Sequence, residues 1–249
     1  MSRFFGGAAH VLVRTQPSQH LEVYNDLNSD LVCFWMAARD QPEALLQRIE
    51  TLPYSRSLYY AYRKSLHEPM DDLERAARWF YLLRSTFGGV PDFSKGWGYT
   101  IGRSNSRAHS IRTATALLSL VAQRFRCVQI EHQDFASIIQ TYQTPRTLFY
   151  VDPPYVGCED YYNESDGTSL FTDNDHHRLA TLLNATPALV AVSYYEHPVL
   201  SELYPVSCWR RITWMQAKAV ERTRASRQYG HEVLLMNYPA ALGLWETAQ

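Results

Sequence analysis

The residues whose types and spacing best suit chemistry are Asp152-Pro153-Pro154-Tyr155, directly after the apolar run Leu148-Phe149-Tyr150-Val151. Two consecutive prolines fix φ and remove two N–H donors. What remains is a rigid ledge of acceptors, the Asp152 carboxylate and the Pro153 carbonyl, beside the aromatic plane of Tyr155. Acceptors next to a stacking face suit an aromatic amine whose N–H groups must be held. At ordinary residue usage, a given tetrapeptide of these types arises by chance on the order of once in a thousand chains of this length. The plain structural alternative is a proline-rich turn after a strand. Its place at a strand's carboxyl end, where α/β proteins put catalytic groups, counts against that alternative.

The elements that must position this ledge are legible from periodicity. A short strand is expected over 20–24, followed by the polar cluster Asn25-Asp26-Leu27-Asn28. Ser29 or Asp30 then caps a helix to about Ala38, and Pro42 opens the next, to about Leu52. Asp71 and Glu74 make a capping-box-like start. Leu73, Ala77, Phe80, Leu83 and Phe87 repeat at helical spacing, and Gly88-Gly89 closes that helix. A loop is expected over 93–105 and a helix over 110–124. Strands over 127–131, 147–151 and 188–193 then alternate with helices over 135–142, 173–184 and 197–203, and strands over 206–214 and 232–237 finish the chain. The run 147–151 has the continuous apolar character of a buried parallel strand. The alternation argues for a doubly wound α/β sheet, with its ligand site at the carboxyl ends of the strands.

Composition excludes several classes. The 249 residues suit one large domain, or one domain with an insertion. Hydrophobic residues make up 46% and charged residues 20%, which rules out a disordered or fibrous chain. The longest apolar run is eight residues, 31–38, against about 20 for a membrane-spanning helix. Gly6, Gly7 and His10 interrupt the apolar start, which is therefore not read as a signal peptide. Cys33, Cys127, Cys158 and Cys208 have neither metal nor redox spacing, and they read as reduced thiols of a cytoplasmic protein. The nine histidines show no ligand spacing; His176-His177 is expected to be exposed at a helix start, and no metal is expected. The net charge of −1 conceals an asymmetry. Residues 54–112 carry 10 Lys+Arg against 5 Asp+Glu, and residues 205–231 carry 6 against 1. Each segment is net +5, so the remainder is net −11: two basic surfaces on an acidic body.

With these residues in view, the sequence resembles the Dam-like (D12 class) DNA adenine-N6 methyltransferases, which use S-adenosylmethionine. Phe5-Gly6-Gly7-Ala8-Ala9 resembles their first, cofactor-binding motif. Glu22-Val23-Tyr24-Asn25-Asp26-Leu27-Asn28 resembles the second, whose acidic residue faces the cofactor. His132-Gln133-Asp134-Phe135 resembles the motif whose Asp contacts the cofactor's adenine amine, and Asp152-Pro153-Pro154-Tyr155 matches the catalytic motif. Taken alone, Gly6-Gly7 would read as a turn, and Asp26 and Asp134 as helix caps; order and location favour the joint reading.

The resemblance implies a Rossmann-like S-adenosylmethionine-dependent methyltransferase fold built from residues 1–53 and 113–249, with a mostly helical DNA target-recognition insertion over 54–112. It implies catalytic roles for Asp152, Pro153, Pro154 and Tyr155, and cofactor contacts from Phe5, Gly6, Gly7, Ala8, Asp26, Asp134, Phe135 and Asp152. Arg103, Arg107 and Arg112 of the insertion, with Lys218, Arg222 and Arg224, would hold the phosphates of double-stranded DNA. Tyr161-Tyr162 and Tyr194-Tyr195 read as packing residues, or as loop aromatics near the target base. The expected activity is methyl transfer to N6 of a flipped-out adenine at a specific site, by a monomer or weak dimer. Two alternatives stay open. Cytosine N4 poses the same geometric problem. Arg3-Phe4 stands where relatives carry Glu-Pro after a Lys/Gly-rich segment, so a catalytically inactive, N-terminally truncated relic that binds DNA or a partner is the other.

Overall fold

The computed structural model describes residues 9–17, 19–89, 93, 96–99, 107–157, 159, 171–217 and 229–239. The chain is α/β and divides into two compact units. One is Met1–Asp134 with Asp160–Phe171, the other Phe135–Glu159 with Thr172–Gln249.

In chain order the first unit holds α1 (Ala9–Arg14), β1 (Glu22–Asn25), α2 (Ser29–Asp40), α3 (Pro42–Glu50), α4 (Arg56–Lys64), α5 (Asp72–Ser85), α6 (Arg107–Ala116), α7 (Leu118–Phe125) and β2 (Val128–Glu131). β1 and β2 are parallel, with Asn25 opposite Glu131. The core is aromatic. Trp35 of α2 stacks on Phe125 of α7 at 4.2 Å, with Tyr24 of β1 edge-on to both. Phe34 stacks on Phe80 of α5 at 5.4 Å. Such pairs add roughly 0.5–1.5 kcal/mol each beyond the area they bury. They join β1, α2, α5 and α7 into one core.

Local chemistry explains where these helices begin and end. Pro42 occupies the first turn of α3 as expected. α2, in contrast, is capped by Asn28, whose side chain accepts the Leu31 N–H at 2.8 Å, and not by Ser29 or Asp30. Asp71 caps α5 by accepting the Glu74 N–H at 2.8 Å. The Glu74 carboxylate takes Arg48 and Arg78 as partners. α5 ends at Ser85, before the glycines. Thr86 turns extended and pairs with Trp97, so Phe87 N–H donates to the Gly96 carbonyl and Gly98 N–H to that of Ser85. The helix expected over 110–124 is two helices, divided where Leu117 N–H donates to the Ala114 carbonyl in a tightened turn.

The second unit holds α8 (Phe135–Tyr142), β3 (Leu148–Val151), α9 (Asp173–Ala185), β4 (Leu189–Tyr195), α10 (Leu200–Leu203), β5 (Arg210–Ala217) and β6 (Tyr229–Met236). Its sheet has the order β3-β4-β6-β5. β3 and β4 are parallel, with Val151 opposite Val192. β6 runs antiparallel to both β4 and β5, so the sheet is mixed and not wholly doubly wound. β4 is buried along Val190–Tyr194, as a central strand should be. β3 departs from expectation: Leu148 is exposed and Phe149–Val151 are half-buried, and among the described strands β3 is the end strand of its sheet. Thr172 and Asp175 form a capping box that starts α9.

Candidate active site

The tetrapeptide Asp152-Pro153-Pro154-Tyr155 leaves the carboxyl end of β3, as its sequence position requires. Pro153 is buried, while Asp152, Pro154 and Tyr155 are half-buried and so accessible to a ligand. The adjacent strand supplies what the sequence reading missed. Ser193 of β4 is buried, and its hydroxyl donates to Asp152 Oδ1 at 2.8 Å. The Tyr150 hydroxyl approaches Ser193 Oγ at 3.5 Å from the other side. Ser193 therefore fixes one carboxylate oxygen of Asp152 from within the sheet. The signal available in sequence was a single hydroxyl inside the apolar run Leu189-Val190-Ala191-Val192-Ser193.

Tyr155 is held by aromatic neighbours. The Tyr195 ring meets it edge-on at 4.5 Å, and Tyr194 lies tilted at 6.0 Å. Tyr194 and Tyr195 are thus the last residues of β4 and not loop aromatics. Tyr194 is fully buried, and burial raises its hydroxyl pKa far above the ordinary phenol value. His176 also departs from expectation. It is 1% exposed, on the inner face of α9, because its two ring nitrogens meet Tyr194 and Glu159.

In the first unit, Asp26 follows β1 and Asp134 follows β2, so both stand at one end of the parallel pair. Asn25 and Gln133 clamp that end: the Asn25 side-chain amide donates to the Gln133 carbonyl and accepts the Gln133 N–H, each at 2.9 Å. Asp26 is no helix cap. Its carboxyl accepts the Tyr24 hydroxyl at 3.0 Å and the Asn28 N–H at 2.9 Å. Burial raises its pKa, opposed by these hydrogen bonds and by His132. A carboxylate has about four lone-pair positions, so Asp26 retains acceptors for a ligand's hydroxyl or amine donors. That donor set fits S-adenosylmethionine, which carries ribose hydroxyls and an adenine amine. Phe135 opens α8 in the second unit, with the Arg178 guanidinium 4.2 Å above its ring. Phe5, Gly6, Gly7 and Ala8 lie outside the described residues.

The cationic residues separate into distinct environments. Arg112 is exposed on α6. Arg107 is half-buried and donates to the Thr86 carbonyl at 3.3 Å, with its guanidinium 5.6 Å from the Phe87 ring centroid. Arg103, Lys218, Arg222 and Arg224, and Tyr161-Tyr162, lie outside the described residues. The basic segment also carries a ladder that spacing had not revealed. Tyr54, Trp97 and Tyr99 follow one another at 5.2 and 6.0 Å, and Arg56 lies 4.8 Å over Trp97 and 5.5 Å over Tyr99. The Tyr54 hydroxyl donates to the Gly98 carbonyl, and burial pushes its pKa up to about 12. Tyr99 is 54% exposed. Stacked rings topped by a guanidinium are a surface on which nucleobases can stack. Among the described residues no group of His, Cys, Asp or Glu could hold a metal ion, and no helix is long and apolar enough to cross a membrane.

The sequence model of the D12 class N6 adenine-specific DNA methyltransferases matches residues 2–218. The chain belongs to that family. A DNA N-6-adenine-methyltransferase of Escherichia phage P1 is 25% identical over 244 residues, 93% of this chain and 31% of its own length. Type II methyltransferase M1.LlaDCHI of Lactococcus lactis subsp. cremoris is 24% identical, covering 81% of this chain and 73% of its own. Type II methyltransferase M.CviBI of Paramecium bursaria Chlorella virus NC1A is 21% identical, covering 73% and 67%. This chain thus spans about a third of the phage relative and about two thirds to three quarters of the other two.

Proposed function

We propose that this protein is a site-specific DNA methyltransferase acting on N6 of adenine, with S-adenosylmethionine as methyl donor. The observation that carries this is Asp152 at the carboxyl end of β3, fixed by Ser193 and followed by the Tyr155 stacking face, in a chain of this family. The cofactor, when bound, supplies an activated methyl group on a sulfonium. The chain's own residues do the rest. An adenine amine inside a duplex is out of reach, so the base is flipped out at a cost of a few kcal/mol. The Tyr155 ring stacks on it. Asp152 and the Pro153 carbonyl accept hydrogen bonds from its NH₂, which turns the nitrogen lone pair out of conjugation with the ring. Alignment is then the protein's main contribution. Asp152 need not be a strong base, since the proton can leave after the methyl group has arrived.

Asp26 and Asp134 are assigned to the cofactor, together with Phe5, Gly6, Gly7, Ala8 and Phe135. The reading extends to a Rossmann-like catalytic domain of residues 1–53 and 113–249 with a helical target-recognition insertion over 54–112. The Tyr54-Trp97-Tyr99 ladder and exposed Arg112 support the insertion's DNA role. Arg103, Arg107, Lys218, Arg222 and Arg224 complete the proposed phosphate contacts.

The test is transfer from labelled S-adenosylmethionine to unmethylated genomic DNA, with the product nucleosides separated. Label is expected in N6-methyladenine, and Asp152→Ala abolishes it while cofactor affinity stays within a few fold. Label in N4-methylcytosine, or normal transfer by Asp152→Ala, would overturn the reading.

A further inference from the structure

The turn that follows the candidate catalytic tetrapeptide is tied to α9 by a polar chain, buried at its His176 and Tyr194 end, that the reaction itself does not use. Gly157, at φ +77, sits in the turn after Tyr155, in a conformation that suits glycine. Its N–H donates to Glu159 Oε1 at 2.9 Å. The same carboxylate oxygen lies 2.9 Å from His176 Nε2, and His176 Nδ1 lies 2.9 Å from the Tyr194 hydroxyl. Burial raises the pKa of the Tyr194 hydroxyl, so it stays protonated. An ionised Glu159 only accepts, so His176 Nε2–H donates to it, and Nδ1 of the neutral ring is left to accept the Tyr194 hydroxyl. Burial tends to raise the Glu159 pKa, but its own backbone N–H, His176 and the Gly157 N–H hold it below the ordinary carboxylate value. The chain thus runs from Tyr194 through His176 to an ionised Glu159 and on to the Gly157 amide. Its two ends flank Tyr155: Tyr194 lies 6.0 Å from that ring, and Gly157 is two residues beyond it.

We infer that His176 and Glu159 are positioning residues for Tyr155, locking the turn so that the ring stands as a fixed wall for the adenine. This rests on the reading of Tyr155 as the stacking residue. A buried His with both nitrogens satisfied has one tautomer and one orientation. Its anchor is a central strand, β4, and not the turn itself, so the turn inherits the rigidity of the sheet.

His176→Phe keeps the ring volume and removes both hydrogen bonds. Two readouts are compared with wild type: exchange of the Gly157 amide by NMR, and steady-state transfer to unmethylated genomic DNA with labelled S-adenosylmethionine. Gly157 exchange is expected to speed up about tenfold and kcat to fall about tenfold or more, with KM for S-adenosylmethionine within twofold. His176→Gln, which keeps a donor near the Nε2 position, should recover a substantial part of kcat. If His176→Phe does not fold, Glu159→Ala, at a half-exposed residue, carries the same test. A kcat within twofold of wild type in these variants overturns the inference, as does His176→Gln performing no better than His176→Phe. If wild type itself transfers no label, the methyltransferase reading fails. Gly157 exchange then decides alone: unchanged protection overturns the tether, and lost protection supports it.

Discussion

At the scale of single residues, the candidate site shows how a carboxylate is prepared without being spent. Ser193 satisfies Asp152 Oδ1 from inside the sheet, and a hydrogen bond to a charged group contributes roughly 1.5–3 kcal/mol. Ser193→Ala frees that oxygen and lets the side chain rotate. A fall in kcat of about tenfold is expected, with cofactor affinity unchanged in a binding titration; unchanged kcat would show that Ser193 is not what positions Asp152. The hydroxyl was visible in sequence only as a polar residue in an apolar strand. Its partner was invisible, because the contact crosses from β4 to the residue just beyond β3, 41 positions away. His176 was misjudged for a related reason. A polar residue at a helix start reads as solvated until a buried tyrosine from another element meets it.

At the scale of elements, two ionic clusters join the first unit. Arg124 of α7, 7% exposed, makes a forked pair with Glu22 of β1 at 2.6 and 2.7 Å and donates to the Thr15 carbonyl. Removing one partner of such a pair leaves a buried charge uncompensated. Glu22→Ala should therefore destabilise the unit by about 3 kcal/mol in urea unfolding, whereas a loss below about 1 kcal/mol would mean that water reaches Arg124. Glu74 of α5 joins Arg48 of α3 and Arg78 of its own helix at 2.6 Å each. Burial tends to raise its pKa, but the two guanidiniums hold it below the ordinary 4.5. The sign follows from linkage. This stabilisation is present above the ordinary carboxylate value and is lost as pH falls through the depressed one. The stability difference between wild type and Glu74→Gln should be largest near neutral pH and shrink on acidification; a difference independent of pH would assign it to packing. Helix starts at Pro42 and Asp71 were readable because caps are local. The end of α5 was not, because Thr86 leaves the helix to pair with Trp97.

At the scale of the whole molecule, the charge distribution bears on the proposed binding of DNA. A near-neutral net charge is compatible with phosphate binding when basic segments are gathered, since each neutralised phosphate releases counterions locally. Arg112→Ala should weaken binding to all DNA sequences alike and reduce the slope of log affinity against log salt by about one. An unchanged slope would remove Arg112 from the phosphate contacts. Arg107 is a different case, since its guanidinium already serves the Thr86 carbonyl. Its substitution is expected to disturb the fold around Phe87 as well as any DNA contact.

The rough order of strands, the starts of α3, α5, α8 and α9, the α/β class and the family could be read along the chain. Each rests on short-range periodicity, caps or ordered motifs, which are properties of neighbouring residues. Spacing likewise put Asp26, Asp134 and Asp152 after strands. Folding alone settled the antiparallel course of β6, the end position of β3 among the described strands, the grip of Ser193 on Asp152 and the burial of His176 between Tyr194 and Glu159. Those depend on which strand lies beside which, and that is decided by packing between residues far apart in sequence.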